Sequence, residues 1–425
     1  LDIWTPGAAE DERLAALEQL GDAAQAAGLL ADALLPWREV AESPQPAIRA
    51  RALRKLANLY ELGCEWARSL DVRQDAMSAF EAAGDPAEAA GEGITAAIRL
   101  RLSARHAAGI EVLKRAAADA EASGREDLKV RVAALMGNLH ARLGRYGEGL
   151  PMIRAALDAA LALNRPALVG ETYQRLADAI ERTSDFRVGA ATNREGIAFC
   201  EDHDVAGGIV ACLACMAWIL VRGGEWDQAS AACRRILDSA AAAPPARAIA
   251  LGASGLIHVL RGERKKGEPL LLEGDALARR LEHALMENIC RWGLALCDAT
   301  ANDHASAAER CRGILVRWRK TDEVHSAMPI LRWSASCFAR VGDRDGLRHC
   351  ADAFGDAAAA FSHAEPLSAL AHVLGESAWL EGDMERAVEQ FEHAVALLEG
   401  MQLPRERVES RLRAAAACAA LVFNP

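Results

Sequence analysis

The chain has 425 residues, of which 52% are hydrophobic and 26% charged. This composition excludes a disordered chain, and the length exceeds what one compact core usually supports, so several domains or a repeat array are expected. The formal net charge of −11 argues against direct nucleic-acid binding.

The cysteines and the apolar runs indicate where the protein resides. Eleven cysteines are scattered mostly through helical apolar patterns, and no signal peptide precedes them, which indicates a reducing cytoplasm. The longest uncharged apolar run, residues 209–221, is too short to span a bilayer. We therefore expect a cytoplasmic protein without membrane contact. The excess of Arg over Lys, with abundant Ala, indicates a GC-rich bacterial genome.

A helix-ending residue recurs along the whole chain at intervals near 40. Glycine favours such positions because it enters the left-handed region at little cost. The recurring positions are Gly28, Cys64, Ala104, Gly144, Ser184, Gly224, Gly262, Asn302, Gly342 and Gly382. Two residues later a bulky side chain follows in eight of the ten cases, and a small residue follows at the fourth or fifth position. A fixed period of this size predicts a solenoid of helix pairs.

The segments between these turns show helical periodicity, and none shows sustained strand alternation. We predict an all-α fold, a right-handed superhelical solenoid of about ten antiparallel helix pairs. It would form a single domain over residues 1–425, with 403–425 as a half-repeat. The chain starts at Leu1 and stops within a unit, so we expect a fragment of a longer protein.

The turn signature resembles the tetratricopeptide repeat (TPR). The clearest matches are Gly144-Arg145-Tyr146-Gly147-Glu148-Gly149, Gly224-Glu225-Trp226-Asp227-Gln228-Ala229 and Gly382-Asp383-Met384-Glu385-Arg386-Ala387. The usual period of that family is about 34, so helices nearly a turn longer are expected here. HEAT and armadillo arrays have a similar period, but the turn signature favours the TPR.

Residues 364–387 and 403–409 resemble the C-terminal TPR region of MalT-like and large LuxR-type ATP-dependent bacterial transcription regulators. In such proteins a nucleotide-binding module precedes the array and a DNA-binding helix-turn-helix follows it. The resemblance implies a sensor role in signal transduction, with no DNA contact by the solenoid itself.

Strings that mimic chemical motifs are better explained by packing. Gly262-Glu263-Arg264-Lys265-Lys266-Gly267 has the glycine spacing of a phosphate loop but lacks the Lys-Ser/Thr pair that follows it. Cys212 and Cys215 have metal spacing, yet they lie in an apolar helix with no second pair. We expect no catalytic residues, no cofactor and no metal.

The concave face of the solenoid is the predicted binding surface. Arginines recur two residues before the turns at Arg142, Arg182 and Arg222, and arginine suits planar recognition of carboxylate or phosphate. The alternative is that these arginines pair with acidic residues on neighbouring helices. The predicted ligand- or partner-binding residues are Arg54, Asn58, Asn138, Arg142, Arg182, Trp218 and Arg222.

Three functions stay open on the sequence. The first is a non-catalytic sensor region that binds a protein, a peptide or a small anionic effector within a bacterial regulator. The second is a free-standing TPR scaffold or adaptor for protein–protein interaction, with homo-oligomers possible. The third is a small-molecule enzyme that uses the central concave pocket, although no catalytic constellation supports it.

Overall fold

The computed structural model describes residues 10–361 and 363–423, with the side chain of Phe423 left out. These residues form twenty-one α-helices and one short 3₁₀ helix, and most consecutive helices pack against each other. The all-α class and the helix-pair architecture predicted from the sequence are confirmed. Among the described residues, no helix is both long enough and apolar enough to cross a bilayer.

The helices follow one another with short turns. The first eleven are α1 Glu10–Ala26, α2 Leu30–Ala41, α3 Pro46–Leu62, α4 Trp66–Ala83, α5 Pro86–Leu102, α6 His106–Ser123, α7 Glu126–Arg142, α8 Tyr146–Ala162, α9 Pro166–Glu181, α10 Phe186–Asp202 and α11 Ala206–Arg222. The others are α12 Trp226–Leu237, α13 Pro244–Leu260, α14 Arg264–Arg280, α15 Ala284–Thr300, α16 His304–Trp318, α17 Met328–Val341, α18 Arg344–Ala360, α19 Ala364–Glu381, α20 Met384–Leu397 and α21 Pro404–Phe423.

The described chain divides into two compact units. Unit 1 contains the described residues up to 101 together with 108–135, and unit 2 contains 102–107 and the described residues from 136 onward. The sequence predicts one domain over residues 1–425, and that assignment stays a prediction. Each unit is described below by itself.

All ten predicted turn residues have a positive φ, between 55° at Ala104 and 84° at Gly382. The bulky residue two positions later, for example Trp66 or Phe186, is in each case the first residue of the second helix of a pair. The rule that one residue in the left-handed region ends the helix is therefore sufficient to place these turns. The turns between successive pairs were not predicted, although six of them use the same conformation, at Gly84, Gly124, Asn164, Asp204, Glu282 and Gly400.

The small residues of the repeat let the two helices of a pair approach closely. A Cβ on Gly149 would collide with the carbonyl oxygen of Gly137, and one on Gly267 would lie 2.6 Å from the carbonyl oxygen of Gly255. Backbone cannot move aside as a flexible side chain can, so larger residues would separate the paired helices.

Unit 2 departs from the regular repeat between α16 and α17. The first helices α9, α11, α13 and α15 have 16 or 17 residues each, whereas α17 has 14 and begins only at Met328. Residues 319–327 form an irregular connection that ends in the 3₁₀ helix His325–Ala327. This connection places Glu323 and His325 in the interior of unit 2, where both are buried.

The two cysteines of α11 belong to the hydrophobic core. Cys212 is fully buried, and Cys215 packs against the same hydrophobic cluster. Burial raises the pKa of both thiols, that of Cys215 to about 12. A thiol with a raised pKa is a poor nucleophile and metal ligand, in agreement with a structural role.

Candidate functional site

Three arginines occupy equivalent positions in unit 2 and form what we call the arginine column. Arg142 is the last residue of α7, Arg182 directly follows α9, and Arg222 is the last residue of α11. The C-terminal end of a helix carries partial negative charge, so it stabilises a cation there. The regular turn after each helix thus fixes the three arginines at a 40-residue spacing.

Three glutamates form a matching glutamate column in unit 2. Glu323 lies just before the 3₁₀ helix, Glu365 is the second residue of α19, and Glu406 is the third residue of α21. Glu365 and Glu406 occupy first turns, where the helix dipole favours an anion. All three side chains are buried.

The two columns meet in buried ion pairs. Glu323 accepts hydrogen bonds from Arg142 Nη1 at 3.0 Å and from Arg182 Nη1 at 2.8 Å, so one carboxylate bridges two successive repeats. Asp178 of α9 pairs with the same two arginines, because it accepts hydrogen bonds from Arg142 Nη2 at 2.8 Å and from Arg182 Nη2 at 3.4 Å. The exposed fractions of Arg142 and Arg182 are only 5% and 1%.

Arg222 is paired less completely than the other two arginines. Its Nη2 donates to Glu365 and lies 3.4 Å from Glu406 Oε1, and its guanidinium stands 5.1 Å from the ring centre of Phe186. Its Nε and Nη1 are buried and have no hydrogen-bond acceptor among the described residues. Trp218, one helical turn earlier, also has a buried Nε1 without an acceptor. This end of the arginine column therefore retains unused donors.

Buried histidines extend the network. His106 Nε2 lies 3.4 Å from Glu323, and His325 Nε2 lies 3.2 Å from Glu181. Burial lowers the pKa of His106, and burial together with the nearby His325 lowers the pKa of His363 to about 4. These two rings are therefore neutral near pH 7.

Glu323 and Glu365 remain ionised because their counter-charges outweigh burial. Burial by itself would raise the pKa of Glu323, but Arg182 and the hydrogen bond with His106 hold it well below its usual value. The same competition, with Arg222 as the main counter-charge, lowers the pKa of Glu365 to about 2. Glu323 and Glu365 thus form true ion pairs in the buried interior, whereas burial raises the pKa of Glu406 despite the nearby Arg222.

These contacts correct one expectation from the sequence. The concave arginines were expected on an open wall, whereas Arg142, Arg182 and Arg222 are buried against acidic side chains of the same chain. The internal ion pairs that the sequence left as the alternative are present. The physical reason is that the connection 319–327 and the later helices α19 and α21 bring carboxylates to the same interior. Ligand binding by these residues stays a prediction.

The other predicted residues fall into two groups. In unit 2, Asn138 donates to Asp178 at 2.7 Å, so it supports the arginine column. In unit 1, Arg54 pairs with Glu88 and Glu92, and Asn58 accepts a hydrogen bond from Arg73. Because the seven predicted residues lie in both units, they do not form one continuous site within either.

Sequence reasoning missed the glutamate column and the histidines. Glu323, Glu365 and Glu406 are 42 and 41 residues apart, so a search for acidic residues at the repeat period near helix starts would have found them. Nothing local distinguishes His106 or His325, because their burial follows from helices far away in sequence.

Comparison with known proteins bears on the fold. No family model and no curated protein matches the sequence. Among solved structures, the Rap protein complexed with Competence and Sporulation Factor matches with a TM-score of 0.56 at 14% identity, over 75% of this chain and 89% of Rap. Yeast Tom70 (14% identity, 97% of each chain, TM-score 0.39) and the human IFIT1 dimer with m7Gppp-AAAA (12% identity, 96% of this chain and 90% of IFIT1, TM-score 0.48) are more distant. The likeness to Rap, together with the ten turns, identifies the fold as a TPR solenoid.

Proposed function

We propose that this chain is a non-catalytic binding protein, and that the Arg222 end of the arginine column in unit 2 recognises a carboxylate-bearing segment of a protein or peptide partner. The observation that carries the proposal is the set of unused buried donors at Arg222 and Trp218. Leaving a buried donor without an acceptor costs about 1–3 kcal/mol, and more for a charged group. A ligand carboxylate would supply the missing acceptors.

The contacts of the same network support carboxylate as the preferred chemistry. Glu323 and Glu365 are held at the arginine column by charge-assisted hydrogen bonds. Such bonds are roughly twice as strong as neutral ones. A partner segment with Asp or Glu would therefore compete with, or add to, the chain's own acidic side chains.

The TPR fold also supports a role in binding a protein or peptide partner. The Rap structure was solved as a complex with Competence and Sporulation Factor. TPR solenoids present extended concave surfaces on which partners bind. We extend this role to the present chain by analogy of fold, and the carboxylate preference comes from its own residues.

The proposal includes a regulatory setting. The resemblance of residues 364–387 and 403–409 to MalT-like and LuxR-type regulators favours a sensor region over a free-standing adaptor. Sequencing the reading frame on both sides of this segment distinguishes them, because a regulator would encode an ATPase before the solenoid and a helix-turn-helix after it.

The test uses two sets of fluorescein-labelled hexapeptides, acetylated and amidated at their ends and identical except at two central positions. One set has Asp or Glu there, and the other has Asn or Gln. Fluorescence anisotropy should show tighter binding of the acidic set. Arg222→Lys should weaken that binding about tenfold, because lysine cannot supply the planar pair of donors.

Arg235→Lys is the matched control, since Arg235 is an exposed arginine in the last turn of α12. It should leave peptide binding unchanged. Equal binding of the two peptide sets, or full binding by Arg222→Lys with native helicity, would overturn the proposal.

A further inference from the structure

A separate cavity of about 220 Å³ lies in unit 2 beside the first turn of α15. Its wall includes the end of α14, the turn after it, the start of α15 and the end of α16. The polar lining residues used below are Arg279, Glu282, Glu287, Asn288 and Arg317. Pockets for drug-sized ligands have about 300–1,000 Å³, so this cavity suits a smaller molecule.

The charged lining residues are incompletely compensated. Arg317 Nε makes no hydrogen bond, although it lies 3.3 Å from Glu287 Oε1, and Glu287 is shared with Arg291, which lies closer at 2.8 Å. Burial and the neighbouring Arg291 lower the pKa of Arg317. An added anion near Arg317 would therefore be stabilised.

A negatively charged side chain that lines the same cavity also lacks a full counter-charge. Glu282, an exposed residue of the turn before α15, forms no ion pair among the described residues, and partial desolvation of its carboxyl raises its pKa even though Arg105 opposes the effect. An added cation near Glu282 would be stabilised. The cavity thus presents one under-compensated charge of each sign.

Asn288 supplies an independent indication of a ligand. Its exposed fraction is 7%, and its side chain makes no hydrogen bond within the described part of the chain. It lines this cavity and a second, smaller one of about 10 Å³ that reaches Glu323 and Ser326. Buried amides are normally hydrogen-bonded, so an unpartnered one facing a cavity marks a position where a polar ligand or water binds.

We propose that this cavity binds a free α-amino acid. Arg279 pairs with Asp275 and Glu287 with Arg291, so Arg317 and Glu282 are the charges that the cavity offers to a ligand. One charge of each sign favours a zwitterion over a simple anion or cation. The carboxylate would lie near Arg317 and the first residue of α15, Ala284, where the helix dipole also favours an anion. The ammonium group would face Glu282, and Asn288 would hydrogen-bond the ligand.

The cavity is distinct from the Arg222 end of the arginine column, so the proposal stands without the proposed function. The smaller cavity lies next to the arginine column, because two of its lining residues, Ser326 and Glu323, both bind Arg182. A small side chain of the ligand would point toward them.

The test is isothermal titration of the full chain with each of the twenty amino acids. At least one should bind, and its N-acetyl and carboxamide derivatives should bind about tenfold or more weakly, since each lacks one charged partner. Thermal shift gives a second readout, because a ligand that binds only the folded state raises the melting temperature.

Two variants assign the contacts. Arg317→Gln should weaken binding of the free amino acid but leave binding of the carboxamide derivative unchanged. Glu282→Gln should also weaken binding of the free amino acid, but it should leave binding of the N-acetyl derivative unchanged. Their matched controls are Arg235→Gln, in the last turn of α12, and Asp204→Asn, which shares the positive φ of Glu282. Both controls should bind like the unaltered protein.

The proposal is overturned if none of the twenty amino acids binds. It is also overturned if the blocked derivatives bind as tightly as the free amino acid, or if the two control variants reduce binding as much as Arg317→Gln and Glu282→Gln do.

Discussion

Both units contain a deeply buried arginine, and the two arginines differ in how far along the chain their partners lie. In unit 1, Arg73 pairs with Glu61 at 2.8 Å and with Glu92 at 2.7 Å, which are 12 and 19 residues away. In unit 2, Arg182 pairs with Glu323, which is 141 residues away. The same chemistry therefore joins neighbouring helices in one unit and distant helices in the other.

The difference affects cooperativity. In an ideal solenoid each repeat contacts only its neighbours, so stability is a sum of local terms. Unit 1 follows this rule around Arg73, whose partners belong to α3 and α5. In unit 2 the ion pairs of Glu323 and Glu365 connect helices that are many repeats apart. We expect these connections to make the elements of unit 2 open together.

Removing Arg182 should have the largest effect. In Arg182→Met, the carboxylates of Glu323, Asp178 and Glu181 lose a counter-charge in a dry interior, and breaking a buried pair in this way costs about 3–5 kcal/mol. Hydrogen–deuterium exchange should accelerate both in α9 and in residues 319–327. Mass spectrometry of peptides from these segments gives the opening free energies.

The segments in which hydrogen exchange accelerates test whether Arg182 connects α9 to residues 319–327. Faster exchange in α9 with unchanged exchange in 319–327 would contradict it, because a local defect would not reach a segment so far away in sequence. Circular dichroism establishes that the variant retains its helices.

Lowering the pH should reduce the stability of unit 2, by less than Arg182→Met does and by more than the substitution in unit 1 considered last. The folded pKa of His363 is about 4, below the ordinary value of about 6.5, so between these pH values the unfolded chain binds a proton that the folded chain does not. Stability therefore falls as the pH drops from 6.5 to 4, and it falls further below pH 4.5 because the pKa of Glu365 is also depressed.

The contribution of His363 is measured with His363→Gln. Urea unfolding at pH 7 and pH 5 should show a loss of stability that is smaller in the variant by about 1–2 kcal/mol. His393→Gln, at an exposed position of α20, should keep the pH dependence of the unaltered protein. The same loss in all three proteins would refute this role of His363.

The local part of the fold was predictable from the sequence and the long-range part was not. A turn such as Gly224 is determined by a few consecutive residues, so all ten were found. The arginine column was also found, because it keeps the period of the repeat. Its burial depends on Glu323, which reaches the interior only because the chain is irregular between α16 and α17. No local pattern records that irregularity.

The smallest effect is expected in unit 1 at Arg54, which was predicted together with the arginine column. Its side chain is 30% exposed, and one of its partners, Glu88, is 47% exposed, so water screens the pair. Arg54→Met should change the local opening free energy of α3 and α5 by no more than about 1 kcal/mol. Hydrogen exchange of peptides from these helices measures it alongside Arg182→Met. Both substitutions replace an arginine in or directly after a first helix by methionine. A loss of stability in unit 1 as large as that in unit 2 would mean that partner distance and burial do not account for the difference between the two arginines.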